Sequence, residues 1–202
     1  YQETHNRRLF ARLRPGQSYD ARWRAKLEAR RLGLLVEEGV LCGVGERGAD
    51  LAASLQAMRS LDADQVRAMS FVWQPGIPLE PRSGPGAGGA GERECLLIAL
   101  MRLGLQDRLI PASLDVEGLD GLERRLAAGA NVVSSIVPPG EGLAGVAQAS
   151  LDIEEGRRGV RAVREVLERC GCVIASPEDY SAYLGRRLAA RGIEGAPAGP
   201  AS

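Results

Sequence analysis

The strongest constraint on this chain is an alternation: apolar stretches of strand length are separated by segments of helical spacing, recurring about every thirty residues. Leu34–Cys42, Gln65–Val72, Leu109–Leu114 and Asn131–Val137 read as strands, with a helical segment between each and the next. Strands joined through helices lie parallel and are covered on both faces. The helices read as Ser18–Arg31, stopped by Gly33, and about Asp50–Ser60, with Leu51, Leu55 and Met58 on one face. Next come Glu92–Leu103, stopped by Gly104, and a short helix with Leu119, Leu122 and Leu126 inward, ended by Gly129. Val160, Val163, Leu167 and Cys170 mark another helix. The last begins at SPED, where Ser176 caps, Pro177 takes the first helical position and Asp179 closes a capping box.

A doubly wound sheet and a closed barrel both fit this order. The polar residues favour the barrel, because they gather where strands end: Glu3 and Thr4, then GVGE, then Ser113 and Asp115, then Ser134 and Ser135. Tyr1 opens the chain inside this pattern and reads as the tail of a strand. The expected fold is α/β, the C-terminal half of a (β/α)8 TIM-type barrel, with about four complete βα units and a strand stub. Residues 1–191 form that part of the barrel, 82–91 a flexible Gly-rich loop, and 192–202 a disordered tail.

Composition narrows the function. With 45% apolar residues the chain can bury a core, and 26 basic against 26 acidic residues leave no field for nucleic acid or an acidic membrane. The arginines of 7–31 are spaced as a solvated helix face, interrupted by Asp20 and Glu28. No stretch has the apolar length of a membrane span, so a cytoplasmic location is expected. Cys42, Cys95, Cys170 and Cys172 lack zinc or iron-sulfur spacing and read as buried free thiols.

The strand QVRAMSFV carries the first chemical signal. Alternation places Arg67, Met69 and Phe71 on one face, and on either face a guanidinium needs an anion. Ser113 and Asp115 share a face of the strand PASLD. Two readings follow: Asp115 pairs with Arg67, or Arg67 takes an amino acid's carboxylate while Asp115 and Ser113 hold its ammonium group. Of the adjacent Glu37 and Glu38, one must point inward, as a site residue or as partner to a buried arginine. His5, the only histidine, has no nucleophile at recognisable spacing, and GVGE lacks phosphate-loop spacing. No catalytic residue or metal set is identifiable, so hard chemistry would come from a cofactor.

YQETHN, LRPGQS, EEGVLCGVGE, RLIPASLDVEGL and AGANVVSSIVPPGEGLAGVAQASLDIEEG together resemble the second half of the biotin synthase-like radical S-adenosylmethionine enzymes, up to about Arg187. The resemblance implies a barrel in which a [4Fe-4S] cluster, held by a CxxxCxxC loop expected upstream of Tyr1, cleaves S-adenosylmethionine to a 5′-deoxyadenosyl radical. It further implies hydrogen abstraction from L-lysine, whose skeleton fragments and rejoins as (3R)-3-methyl-D-ornithine, with a reducing electron donor as partner. By position, Glu3 and Arg22 match residues that hold S-adenosylmethionine, and the backbone around Met69 would lie near its adenine. Arg67, Ser113 and Asp115 match residues that grip the substrate's polar ends. The cluster loop is absent, so this chain alone is expected to be inactive. Glu37 aligns where biotin synthase carries a cysteine ligand, which disfavours sulfur insertion, and GPGAGGAG is foreign to the pattern. Alternatives are another member of the group, such as an iron-only hydrogenase maturase, and a half-barrel that serves as a binding module.

Overall fold

A computed structural model describes residues 1–73, 76–77, 90–137 and 158–193. Four short strands alternate with helices in the expected order. The chain runs α1 (Arg7–Leu13), α2 (Tyr19–Arg31), β1 (Glu37–Cys42), α3 (Gly48–Leu61), β2 (Gln65–Ser70), α4 (Ala90–Gly104) and β3 (Pro111–Ser113). A 3-10 turn (Gly118–Gly121) leads into α5 (Leu122–Ala127), followed by β4 (Val132–Ser134), α6 (Val160–Arg169) and α7 (Pro177–Ala189).

All strand contacts are parallel and follow chain order. β1 pairs with β2 from Glu37↔Gln65 to Cys42↔Ser70, and β3 with β4 from Pro111↔Val132 to Ser113↔Ser134. Single bridges join Glu3 to Val40 and Gln65 to Leu109, so the N-terminal stub, β1, β2, β3 and β4 are successive neighbours. A doubly wound sheet reverses its strand order at a switch point. None occurs here among the described residues.

The strands alternate as expected. Val66, Ala68 and Ser70 are buried against the helices, whereas Gln65, Arg67 and Met69 are half-buried on the other face. The core lies between the sheet and its helices: Val40, Cys42, Val66, Ala68, Ile110, Ala112 and Leu114 meet Met58 and Leu61 of α3, Leu97, Ile98 and Met101 of α4, and Leu122 of α5. Each fully buried large aliphatic side chain there contributes about 1.5–3 kcal/mol.

Helix ends follow local chemistry. Asn6 accepts from the Arg8 and Leu9 amides at 3.0 and 3.1 Å and caps α1, a helix that the apolar spacing alone did not mark. Ser18 caps α2, and the Ser176/Asp179 capping box with Pro177 starts α7 as expected. Buried Arg187 docks α7 under the sheet, its Nε 3.0 Å from Asp64 Oδ1 and its Nη2 2.9 Å from Asp62 Oδ1.

Several expectations need correction. α4 begins at Ala90, inside the range read as the Gly-rich loop, while 82–89 lie outside the described residues. Of the tail, Gly192 and Ile193 lie in the turn that follows α7, where the Leu188 carbonyl accepts from Ile193 N–H at 3.1 Å; 194–202 lie outside the described residues. α6 buries Val163 and Val166, whereas Val160 is exposed. Cys170 and Cys172 are exposed because Gly171, at φ 66°, turns the chain outward at the end of α6; only Cys42 is fully buried. No helix of the described residues is long and apolar enough to cross a membrane.

Candidate functional site

The site is built on the sheet face turned away from the helices. Parallel register sets Arg67 opposite Gly39, so Glu37, two residues earlier on β1, rises on the same face. Arg67 Nε donates to Glu37 Oε1 at 2.5 Å, and Nη1 to Ser134 Oγ at 3.3 Å. Arg67 Nη2 donates to no described group. Arg67 therefore does not pair with Asp115. Glu37 sits on the adjoining strand, whereas Asp115 lies beyond the end of β3.

The partner of Asp115 is Arg158, which sequence reasoning missed. Arg158 Nη2 lies 2.7 Å from Asp115 Oδ1 and 2.7 Å from the Ser135 carbonyl oxygen. Oδ2 of Asp115 accepts from Ser135 Oγ at 2.6 Å and Ser113 Oγ at 3.1 Å. Burial opposes ionisation of Asp115, but the hydrogen bonds from Ser135, Arg158 and Ser113 outweigh it and hold the carboxyl below the usual range. Forty-three positions separate Asp115 from Arg158 in sequence, and no local pattern announced the contact.

Tyr1 links this cluster to the expected cofactor residues. Its hydroxyl lies 4.0 Å from Met69 Sδ, and its ring covers Gly39, where a Cβ would come within 3.1 Å of Tyr1 Cγ and 3.2 Å of the Arg67 carbonyl oxygen. A side chain at position 39 would push Tyr1 and Arg67 apart. Burial raises the Tyr1 hydroxyl's pKa; Arg67 lowers it, and the charges of Glu3, Glu37 and Asp115 also reach it. Tyr1 thus stands among the ionic groups of three strands and the stub.

Glu3 is buried at φ 65°, with its carbonyl accepting from Leu41 N–H at 2.9 Å and its carboxylate ion-paired to Arg14. Arg22 reaches from α2 to the Tyr1 carbonyl oxygen and, at 2.7 Å, to Gln17 Oε1; its buried Nε has no described partner. Glu3, Arg22 and Met69 are therefore grouped around Tyr1, with Arg67, Ser113 and Asp115 beyond it.

The remaining candidates are structural. Glu38 points to the helix side, fully buried, ion-paired to Lys26 and accepting from Gln2 N–H at 2.6 Å and Gly39 N–H at 2.8 Å. His5 packs edge-on against Tyr19 and Trp23, its Nδ1 2.6 Å from the Tyr19 hydroxyl, and burial lowers its pKa. In GVGE the loop amides serve the chain's own acid: Gly43 and Val44 N–H donate to Glu46 at 2.9–3.1 Å, leaving no nest for a phosphate. No group of three His, Cys, Asp or Glu suited to a metal occurs among the described residues.

Fold and site together define a parallel α/β protein whose ionic groups share the sheet face turned away from the helices, from Glu37 at the start of β1 and Arg67 within β2 to Ser134 and Asp115 at and beyond the carboxyl ends of β4 and β3. No family model matches the chain. Its relatives make the class particular. The chain is 43% identical over 185 residues to 3-methylornithine synthase of Methanosarcina barkeri (strain Fusaro / DSM 804), covering 92% of this chain and 52% of that protein. It is 40% identical over 184 residues to 3-methylornithine synthase of Methanosarcina acetivorans, covering 91% and 51%. The crystal structure of methylornithine synthase (PylB) superposes with a TM-score of 0.82 at 43% identity, over 91% of this chain and 53% of that one. The chain is related to the methylornithine synthases and spans about half the length of the curated relatives it matches.

Proposed function

We propose that this chain is the C-terminal part of a 3-methylornithine synthase, a radical S-adenosylmethionine mutase that converts L-lysine to (3R)-3-methyl-D-ornithine in pyrrolysine biosynthesis. Its strands form half of a (β/α)8 barrel, with the stub, β1, β2, β3 and β4 as five consecutive staves. The observation that carries the reading is an Arg67 guanidinium that, among the described residues, keeps donors unengaged on the same sheet face as the Ser113–Asp115 pair, in a chain 43% identical to such synthases.

Arg67 holds the amino acid's carboxylate through Nη2, since Glu37 and Ser134 engage only Nε and one Nη1 proton. Asp115, kept ionised by its hydrogen bonds, accepts from an ammonium group, with Ser113 beside it. These contacts orient the lysine and keep its charged ends from shifting while its carbon skeleton rearranges.

S-adenosylmethionine fits the residues around Tyr1. Arg22 Nε is buried without a partner, an orphan donor suited to an anionic group, while Glu3 offers a carboxylate to a cationic one and Met69 an apolar wall. When bound and reduced by one electron, it supplies the radical that removes hydrogen from lysine. The [4Fe-4S] cluster does not fit the described residues. Cys42 is buried with its pKa pushed up to about 12, Cys95 is on α4, and Cys170 and Cys172 sit at the exposed end of α6. The cluster's ligands belong to another segment, and without them this chain is inactive.

Anaerobic incubation of the complete gene product with S-adenosylmethionine, a reductant and L-lysine, followed by mass analysis of the amino acids, tests the reading. A product isomeric with lysine but separable from it is expected, and Arg67→Ala abolishes it with cluster absorption intact. Lysine recovered unchanged from a cluster-loaded enzyme refutes it.

A further inference from the structure

We propose that Arg158 and Ser135 are positioning residues, which aim one acceptor direction of the Asp115 carboxylate at the α-ammonium of the amino-acid substrate. The inference rests on the substrate grip described above and adds two residues and a specificity to it.

Arg158 is only 2% exposed, and burying a guanidinium is costly unless its position demands the charge. The helix-side core gains nothing from it, because its contacts run to the strand ends: Asp115 Oδ1 and the Ser135 carbonyl oxygen, the latter also receiving Nε at 3.1 Å. Its Nη1 is buried and donates to no described group, so the arginine is not there to complete a closed structural network. Ser135 adds an independent sign. It holds φ 66°, a left-handed conformation unfavourable for a residue with a side chain, and it does so at a strand end. That conformation lets one residue give its carbonyl to Arg158 and its hydroxyl to Asp115 at 2.6 Å.

The consequence is directional. A carboxylate offers about four acceptor directions. Ser113 and Ser135 take those of Oδ2 and Arg158 takes one on Oδ1, and among the described residues none takes the remaining direction on Oδ1. Charge is settled as well: Arg158 offsets Asp115 and Glu37 offsets Arg67, giving a site of zero net charge that matches a zwitterionic amino-acid head group. Removing Arg158 frees the carboxylate to rotate and to draw another cation, most directly Arg67 across the site.

The test compares L-lysine with 6-aminohexanoate, which keeps the carboxylate and the distal ammonium and lacks only the α-ammonium. Both are titrated calorimetrically into the complete gene product and its variants. The wild type should prefer lysine at least tenfold. Arg158→Gln should reduce that preference below threefold, and Arg158→Lys should recover part of it. A merely structural role would weaken both ligands equally, and an unchanged preference in a folded Arg158→Gln protein overturns the inference. Should Arg158→Gln not fold, Ser135→Gly decides: glycine accepts the φ of 66° and removes the hydroxymethyl group with its bond to Asp115, so the preference should fall threefold or more, and its retention overturns the inference. Failure of the underlying grip looks different, since then Asp115→Asn and Arg67→Ala bind lysine as tightly as the wild type.

Discussion

Replacing Arg125 of α5 by methionine should weaken the support beneath β2 by more than a volume-conserving apolar exchange in the core. The side chains of Arg125 and Glu94 are each 1% exposed, with Nε to Oε1 at 2.6 Å. Glu94 Oε2 also accepts from Arg125 Nη2 at 3.2 Å, from Ser70 N–H at 3.1 Å and from Ser70 Oγ at 2.5 Å. The substitution therefore removes two of four hydrogen bonds and the guanidinium that balances a fully buried charge. Breaking such a pair from one side costs about 3–5 kcal/mol, against under about 1.5 kcal/mol for a volume-conserving apolar exchange. In a protein of this size that is a fall of about 6–20 °C in Tm. Glu117 loses the same partner: its side chain is 32% exposed overall, but its Oε2, 2.9 Å from Arg125 Nη2, is itself buried, so it adds to the loss. Urea denaturation of Arg125→Met should show the loss, and Arg125→Met/Glu94→Gln should recover most of it, because glutamine keeps an acceptor for Ser70 and leaves no buried charge. A single variant that loses less than about 1 kcal/mol, or a double variant no better than the single, would refute the charge-based account. Ser70 ends the strand that carries Arg67 and Met69, so the same pair fixes the floor of the site.

Three further outcomes follow from the ionic groups and thiols. Asp115 has a folded-state pKa below its unfolded value of about 3.9, so its contribution to stability is full above that pH and is lost as pH falls through the folded value; urea midpoints of wild type and Asp115→Asn should accordingly converge in acid. Glu46→Ala should free the Gly43 and Val44 amides, read as hydrogen exchange at least tenfold faster at both, since each now donates to that carboxylate. Cys170 and Cys172 should react with a disulfide reagent in the native protein, whereas Cys42, buried and pushed up to about 12, should react only on unfolding.

Much of this arrangement was legible because it has a period. Alternation along QVRAMS put Arg67 and Met69 on one face, which the structure turns away from the helices, and the parallel order followed from helical segments between strands. Caps were legible where the side chain and its amide are three residues apart, as at Ser176. What escaped has no period. Helix α1 buries little beyond Leu9 and Phe10 and forms around the Asn6 cap, so no apolar stripe betrayed it. Glu37 and Glu38 are adjacent, and alternation fixed that they point oppositely but not that Arg67 waits on one side and Lys26 on the other. Arg158 lies farthest from legibility, because its partner is set by the folded path alone.

The pairing of charges also bears on how such a site can work. Arg67 with Glu37, Asp115 with Arg158, and Glu3 with Arg14 are each held by the protein's own groups, and each pair spans two elements of the fold. A site of unpaired charges would swing towards whatever ion entered and would have to reorganise as the substrate changed shape. Here the charges are already oriented, and what the described residues leave open is directional: one proton on Arg67 Nη1, two on its Nη2 and one acceptor direction on Asp115 Oδ1. Preorganised groups of this kind need no reorganisation during reaction. In the proposed synthase the substrate's ends therefore stay fixed while bonds between its carbons break and re-form, and selectivity comes from where the open directions point, since the Arg67–Glu37 and Asp115–Arg158 pairs that hold it each carry no net charge.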